Sequence, residues 1–504
     1  MRNIFFVFRM VILACPDSLF NKSVDMFRVY VSQLMRRLIT DPRHRRGPDG
    51  KYHHYQAPCS RLREYIIVHV PRDVAGEVTV RLMRKVSLCY SELIIDGRFR
   101  SDCEEVAPYV FRAVVHPSVK CLNFVRNKEH PTLMDYHKEV NGDLVYRTLP
   151  LLRDLKVLKI GKMATFASVS LDVEGFRDSL EKFSTSNYLE KDIEELANKC
   201  KRIRCLDLGG TIIYPSNICN LISRFENLEE LNLSLLLFLS SDDLEVILYW
   251  LFGFLPLYTS PSQKPGGSAT LAGTSSHTHK EALKEELFRI RPLRHSGQLK
   301  SFGCSNARDE HIDLICMCYN LTSLVLCDVT PSCSLVALRY LNRLKNLTLI
   351  RSRFSDVEEF LRVSGNQLIC LNFVDVLSTN FTLISQNCRS LECLHLCFSR
   401  SEDLVLPANY RDVDSHSLPV PDFPRVVTLQ LYITEHHARE YILSRFPYLR
   451  KLTLLNTGGD LTLLDSIMNR KRLVRLEEFY WGLQTVMIFS DRLPCFKSSV
   501  WVHE

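Results

Sequence analysis

Nowhere in this 504-residue chain do about 18 apolar residues run uninterrupted, the length a helix needs to cross a bilayer. The stretch LYWLFGFLPLY (248–258) is too short and contains Pro256. An excess of one charge is also lacking. A net charge of +7 makes no case for nucleic acid as the main partner. The chain has no GxxxxGK phosphate loop, since GGSATLAG (266–273) lacks the lysine that would reach a phosphate. No G-x-S-x-G nucleophile elbow is present. The expectation is a protein without cofactor, membrane span or nucleic-acid partner, and not an enzyme.

Cysteine, by contrast, is plentiful. Its 18 copies would suit a disulfide framework only in a much shorter chain. Many sit inside apolar runs (Cys205, Cys316, Cys370, Cys393), where a free thiol behaves as a small buried hydrophobe. This reads as a reduced protein of the cytoplasm and/or nucleus. The N-terminus MRNIFFVFRMVILACPDS begins like a signal peptide, but Arg9 breaks the run and Met10 to Ala14 is too short for its apolar core.

What the chain has is a repeat. The phrases IRCLDL, LEELNL, LTSLVL, LKNLTL, LICLNF, LECLHL, VVTLQL and LRKLTL share an LxxLxL pattern centred on Leu206, Leu231, Leu324, Leu347, Leu371, Leu394, Leu429 and Leu452. Successive centres stand 25 (206 to 231), 23 (324 to 347), 24 (347 to 371) and 23 (371 to 394) residues apart. That is the leucine-rich-repeat range of about 20–29 residues. LKSFGC (299–304), LKVLKI (155–160), VKCLNF (119–124) and LEEFYW (476–481) fit more loosely. Each phrase makes a short strand with alternate side chains buried, and the segment between phrases returns as a helix. In SDVEEFLRVSG, Ser355 and Glu358 predict a capping box, and Gly365 predicts a left-handed helix end. The expected fold is α/β: a leucine-rich-repeat solenoid, a ribonuclease-inhibitor-like horseshoe.

Three residues ahead of the first repeat leucine stand Cys200, Phe225, Cys318, Leu341, Cys388 and Phe446. The fullest unit, DEHIDLICMCYNLTSLVL (309–326), puts Ile312, Ile315, Cys318 and Leu321 on the buried side. This resembles the cysteine-containing leucine-rich repeat of F-box/LRR proteins and related intracellular receptors, over roughly residues 90–485. Where many such repeats carry Asn or Cys after the strand, Thr211, Ser352, Ser399, Thr434 and Thr457 stand here, whose hydroxyls can still bond the turn backbone.

The period divides the chain into a helical module at 1–86 with a basic loop at 41–58, a solenoid at 87–485, and an irregular tail at 486–504. A Ser/Gly/Pro/Thr-rich insertion (256–295) with linker composition and a Pro-rich loop (401–424) interrupt the solenoid.

In CLHLC the alternation turns Leu394 and Leu396 inward, and Cys393, His395 and Cys397 toward the open concave face. Soft ligands on one surface suggest zinc. Yet residues i and i+2 of a strand lie about 6.6–7 Å apart, and neither C-x2-C nor H-x3-H spacing occurs there. No metal is expected. Cys316 and Cys318 in a helix read as core, and the pairs His53/His54 and His436/His437 as solvated surface.

SLFNKSVDMFRVYVSQLMRRLI (18–39) reads as an amphipathic helix whose stripe includes Leu19, Val24, Phe27, Val31, Leu34, Met35 and Leu38. Such a helix can simply cap a solenoid. Ser18, Leu19, Ser23 and Phe27 also resemble the BC-box, the elongin C-binding pattern (S/T)LxxxCxxxV, with serine for cysteine and phenylalanine for valine. VPRDVAGEVTVRLM (70–83) resembles the opening of an F-box through Pro71, Val74, Val78 and Leu82. It also resembles the helix that follows a BC-box in Zyg-eleven-type receptors. Either resemblance implies docking on elongin C or Skp1 with a cullin. The solenoid would then hold a ubiquitination substrate through Asn346, Thr348, Asn372, His395, Gln430, Tyr432 and Tyr480. The implied function is the substrate-recognition subunit of a cullin–RING ubiquitin ligase. The alternative is a non-catalytic intracellular repeat scaffold without that link, and a secreted repeat receptor ranks third.

Overall fold

A computed structural model describes residues 17–40, 55–95, 100–124, 142–160, 172–185, 190–211, 213–236, 239–251, 297–331, 333–407, 423–455 and 475–481. The N-terminal stretch, the basic loop up to residue 54, the insertion, residues 408–422 of the second loop, and the tail lie outside the described residues. The chain forms two units, residues 1–207 and 208–504.

The first unit opens with helices α1 (Asp17–Thr40), α2 (Gln56–His69), α3 (Ala75–Ile95) and α4 (Arg100–Ala113). Of the expected apolar stripe of α1, Val24, Phe27, Val31, Met35 and Leu38 are each 3% exposed or less, and Leu34 is half-buried. The helix packs on α3, where Cys89 Sγ meets the Ser32 carbonyl at 3.9 Å. An Arg36–Glu92 ion pair crosses the same junction. The expected loop at 41–58 ends earlier than its composition implied, because Cys59, Leu62 and Ile66 give Gln56–His69 a helical face to bury. The expected boundary at 86 falls inside α3, whose buried residues run on through Cys89 to Leu93. Four parallel strands follow: β1 (Cys121–Asn123), β2 (Val157–Ile160), β3 (Lys182–Thr185) and β4 (Cys205–Asp207). The loosely matching phrases at 119–124 and 155–160 are therefore repeat strands. β3 escaped the pattern because LEKFST (180–185) holds both Phe183 and the polar Thr185 where the repeat carries apolar residues, although both are buried.

In the second unit nine strands share one parallel order: β5 (Glu230–Asn232), β6 (Ser301–Ser305), β7 (Ser323–Cys327), β8 (Asn346–Ile350), β9 (Cys370–Val374), β11 (Cys393–Cys397), β13 (Thr428–Tyr432), β14 (Lys451–Leu455) and β15 (Glu478–Trp481). The two-residue strands β10 (Thr379–Asn380) and β12 (Leu404–Val405) pair separately. From β6 to β14 the register is unbroken. Phe302, Leu324, Leu347, Leu371, Leu394, Leu429 and Leu452 lie side by side. Each is 1% exposed or less, and burying each such side chain is worth about 1.5–3 kcal/mol. Helices return between strands, among them Asp309–Cys316 and Phe354–Ser364. Ile312, Ile315, Cys318 and Leu321 are all fully buried, as the repeat pattern requires. The fold is a leucine-rich-repeat α/β solenoid with a helical N-terminal module.

One device recurs at the strand ends. Asn306, Asp328, Arg351 and Asp375 follow β6 to β9 directly, and all have φ between 49° and 58°. In each case the backbone N–H donates to the last carbonyl of the next strand: Asn306 to Cys327, Asp328 to Ile350, Arg351 to Val374, Asp375 to Cys397, at 2.8–2.9 Å. The left-handed backbone is strained for Arg351 in particular, and the inter-strand bond offsets that strain. Beyond it, Thr211 Oγ1 donates to the Leu208 carbonyl at 2.7 Å and Ser352 Oγ to the Ile350 carbonyl at 3.2 Å, so these hydroxyls do bond the turn. Ser399 and Thr434 are instead exposed.

Two local expectations are corrected. The helix at 354–364 is capped by Asp356, whose Oδ2 accepts from the Arg353 backbone N–H at 3.3 Å; Ser355 lies inside the helix. Gly365 is right-handed, with φ −57°. Glycine is required there for space, because a Cβ would stand 2.8 Å from the Asn387 carbonyl oxygen and 2.8 Å from Cys388 Sγ.

Candidate functional site

Strand alternation in the second unit leaves three in-register rows of side chains on the sheet face opposite the leucine ladder. The first row runs Ser301, Ser323, Asn346, Cys370, Cys393, Thr428, Lys451. The middle row runs Gly303, Val325, Thr348, Asn372, His395, Gln430, Thr453. The third runs Ser305, Cys327, Ile350, Val374, Cys397, Tyr432, Leu455. Neighbours along a row are about 4.7–4.9 Å apart. Among the strand positions from β6 to β15, fixed charge enters this face only at Lys451 and Glu478, which pair at 2.9 Å.

The residues expected on this face are there. Asn346 is exposed, and Thr348, Asn372, His395, Gln430 and Tyr432 are half-buried. Thr348, Asn372, His395 and Gln430 are consecutive in the middle row, and Tyr480 pairs with Thr453 at its end; the Tyr480 side chain lies outside the described residues. Sequence reasoning missed how the rows differ. The first and middle rows supply hydroxyl, amide, thiol and imidazole groups, while the third is open and largely apolar at Ile350, Val374, Cys397 and Tyr432, its Cys327 and Leu455 being buried. The signal was present as the residue two places after each exposed position, but only the register lines those residues up.

The face also holds an unexpected contact. His395 Nε2 lies 3.2 Å from Cys393 Sγ, although their Cα atoms are two strand positions apart. Backbone spacing overstated the separation because the imidazole leans along the strand. Burial lowers the His395 pKa, keeping the ring neutral. Among the described residues, no group of three or more His, Cys, Asp or Glu side chains could hold a metal ion. No helix among them is long and apolar enough to cross a membrane.

The adaptor-docking candidates fall differently. Phe27 is 1% exposed, its ring 6.0 Å from that of Tyr65. Val78 and Leu82 are 1% and 0% exposed, and Pro71 and Val74 are half-buried. Leu19 and Ser23 lie on α1, with side chains outside the described residues. The segment 70–83 is a packing element: a Cβ at Gly76 would stand 2.6 Å from the Cys121 carbonyl oxygen, so α3 rests directly on β1. Phe27, Val78 and Leu82 thus serve the core of the first unit, because their apolar spacing is what closes it. The apolar groups that α1 and α2 leave exposed are others: Met26, Val29, Ile67 and Val68, 41–65% exposed.

No protein-family model matches the chain, and no curated protein matches it. Similar solved structures include an LRR protein of Leptospira interrogans, at 13% identity over 77% of this chain and 84% of that one, with a TM-score of 0.24. Another is the yeast Rad7–Elc1 complex, at 13% identity over 92% of this chain and 93% of that one, with a TM-score of 0.34. At those scores neither likeness carries an argument, and the fold rests on the strand ladder itself.

Proposed function

We propose that this protein is a non-catalytic recognition subunit that holds a protein segment on the open face of its second unit and presents it to a cullin–RING ubiquitin ligase. The observation that carries the recognition half is the row arrangement. A nearly uncharged face with a hydrogen-bonding middle row and an apolar third row suits a polypeptide read by backbone and side-chain hydrogen bonds along one edge and by packing along the other. Tyr432, on the apolar row, is its best anchor, since tyrosine is enriched among interface hot spots. Such a subunit needs no chemistry of its own, because it raises the effective concentration of substrate lysines near the ligase. The ligase half rests on the BC-box- and F-box-like segments, with elongin C or Skp1 as the adaptor.

A specific observation favours a second reading, the scaffold without a ligase link. Burial of Phe27, Val78 and Leu82 is what a solenoid cap requires.

The deciding experiment is affinity capture of the full chain from cells, wild type against Leu19→Asp, probed for elongin C, Skp1 and cullins. Elongin C and a cullin captured by wild type and lost in the variant support the receptor. Skp1 retained by the variant moves docking to another segment. A folded chain that captures no adaptor leaves the scaffold.

A further inference from the structure

Two sulfurs and an imidazole meet on the open face. Cys370 opens β9 and Cys393 opens β11, and the two are register partners on paired parallel strands. Paired strands lie about 4.7–4.9 Å apart, inside the Cα separation of about 4.4–6.8 Å that a disulfide bridges. Both residues hold the same place in the alternation, so their side chains leave the sheet in the same direction. Beside this pair, His395 Nε2 is 3.2 Å from Cys393 Sγ. Both cysteines are half-exposed, whereas Cys304, Cys318, Cys333 and Cys388 are sealed in the core.

The two thiols are unequal. The neighbouring Cys393 thiol holds Cys370 below the ordinary thiol range, and Cys370, with burial, pushes Cys393 up. Burial alone pushes Cys388 up to about 12, and burial is the main cause of the rise to about 12 at Cys318 and Cys333. The thiolate is the reactive form of cysteine, so Cys370 is favoured over those core thiols by both access and ionisation.

We propose that Cys370 and Cys393 form a peroxide-reactive dithiol on the open face, with Cys370 as nucleophile, Cys393 as resolving thiol and His395 as the base beside it. The Cys370 thiolate attacks one oxygen of hydrogen peroxide. The O–O bond breaks, leaving a sulfenic acid on Cys370 and a hydroxide that takes up a proton to become water. The neutral His395 ring then accepts the Cys393 proton through Nε2 as Cys393 Sγ attacks the sulfenic sulfur. The S–O bond breaks, and the departing hydroxide takes the proton from the imidazolium. Two thiols lose two hydrogens and become a disulfide, and the peroxide is reduced to two waters. The inference stands on these three residues alone and holds whether or not a ligase adaptor binds.

The test is a hydrogen peroxide titration of the full, reduced chain, quenched with iodoacetamide and mapped by peptide mass spectrometry. The expected first product is an intramolecular disulfide joining the Cys370 and Cys393 peptides, formed before any change at the exposed Cys121. Cys393→Ser should stop at a sulfenic acid on Cys370 that dimedone traps, and Cys370→Ser should leave Cys393 reduced. His395→Asn should slow disulfide closure by about a hundredfold while leaving the sulfenic acid to form at the wild-type rate. The proposal is overturned if wild-type chain oxidises elsewhere first, or if Cys393 oxidises equally fast without Cys370. Because the wild-type map is decisive by itself, a variant that folds poorly does not rescue the idea.

Discussion

Gly365 offers a sharp check on the packing of the repeats. The sequence pattern places a left-handed residue there, and such a site accepts Asn with little loss. The structure places a right-handed residue there, pressed against the Asn387 carbonyl and the Cys388 sulfur at 2.8 Å from where a Cβ would lie. One of those atoms is backbone and cannot swing aside, so the neighbouring turn must shift. Overpacking of this kind costs about 1–3 kcal/mol. Alanine recovers about 0.4–1 kcal/mol by restricting the unfolded chain at a compatible φ. Gly365→Ala should therefore lose about 1–2 kcal/mol net. Gly365→Asn should lose at least as much, since it adds the same Cβ and more behind it. Urea unfolding of the two variants beside wild type measures both. Asparagine clearly milder than alanine would refute the close-approach account and restore the left-handed one.

The alternation of β9 is tested by neighbours. Leu371→Ala, at a fully buried position, should cost about 2–5 kcal/mol, whereas Asn372→Ala on the open face should stay within about 0.5 kcal/mol; equal costs in urea melts would mean that the faces are misassigned. His116 and His311, each 2% exposed, have pKa values that burial lowers from 6.5. The fold keeps the neutral ring, so its contribution is intact above pH 6.5 and is lost as pH falls through that value toward the lowered one. Unfolding free energy measured at about pH 7.5 and about pH 5.5 should decline, and the decline should shrink in the His116→Gln, His311→Gln double variant; an unchanged decline would assign it to other groups.

Much of the solenoid was legible because its signal is local and repeated. A leucine at Leu347 implies one at Leu371 wherever strands must bury the same face, and Cys318 and Cys388 marked the turn before the strand for the same reason. β3 was illegible because Thr185, beside Phe183, put a polar residue at a repeat position that the fold nonetheless buries. The docking readings of Phe27, Val78 and Leu82 went the other way. Helical periodicity shows that a face is apolar, and it is silent on whether that face meets the chain's own core or a partner.

Sequence alone thus determined the fold class, the inward leucines and the outward Thr348, Asn372, His395 and Gln430, since a strand's period of two assigns every side chain to a face. Tertiary structure decided which outward residues become neighbours. Cys370 and Cys393 are 23 positions apart in the chain (370 to 393), and only the parallel register sets their sulfurs side by side. Tertiary structure likewise turned Gly365 from a helix end into a point of contact and made Gly76 another, because close approach is a property of two segments and is written in neither one.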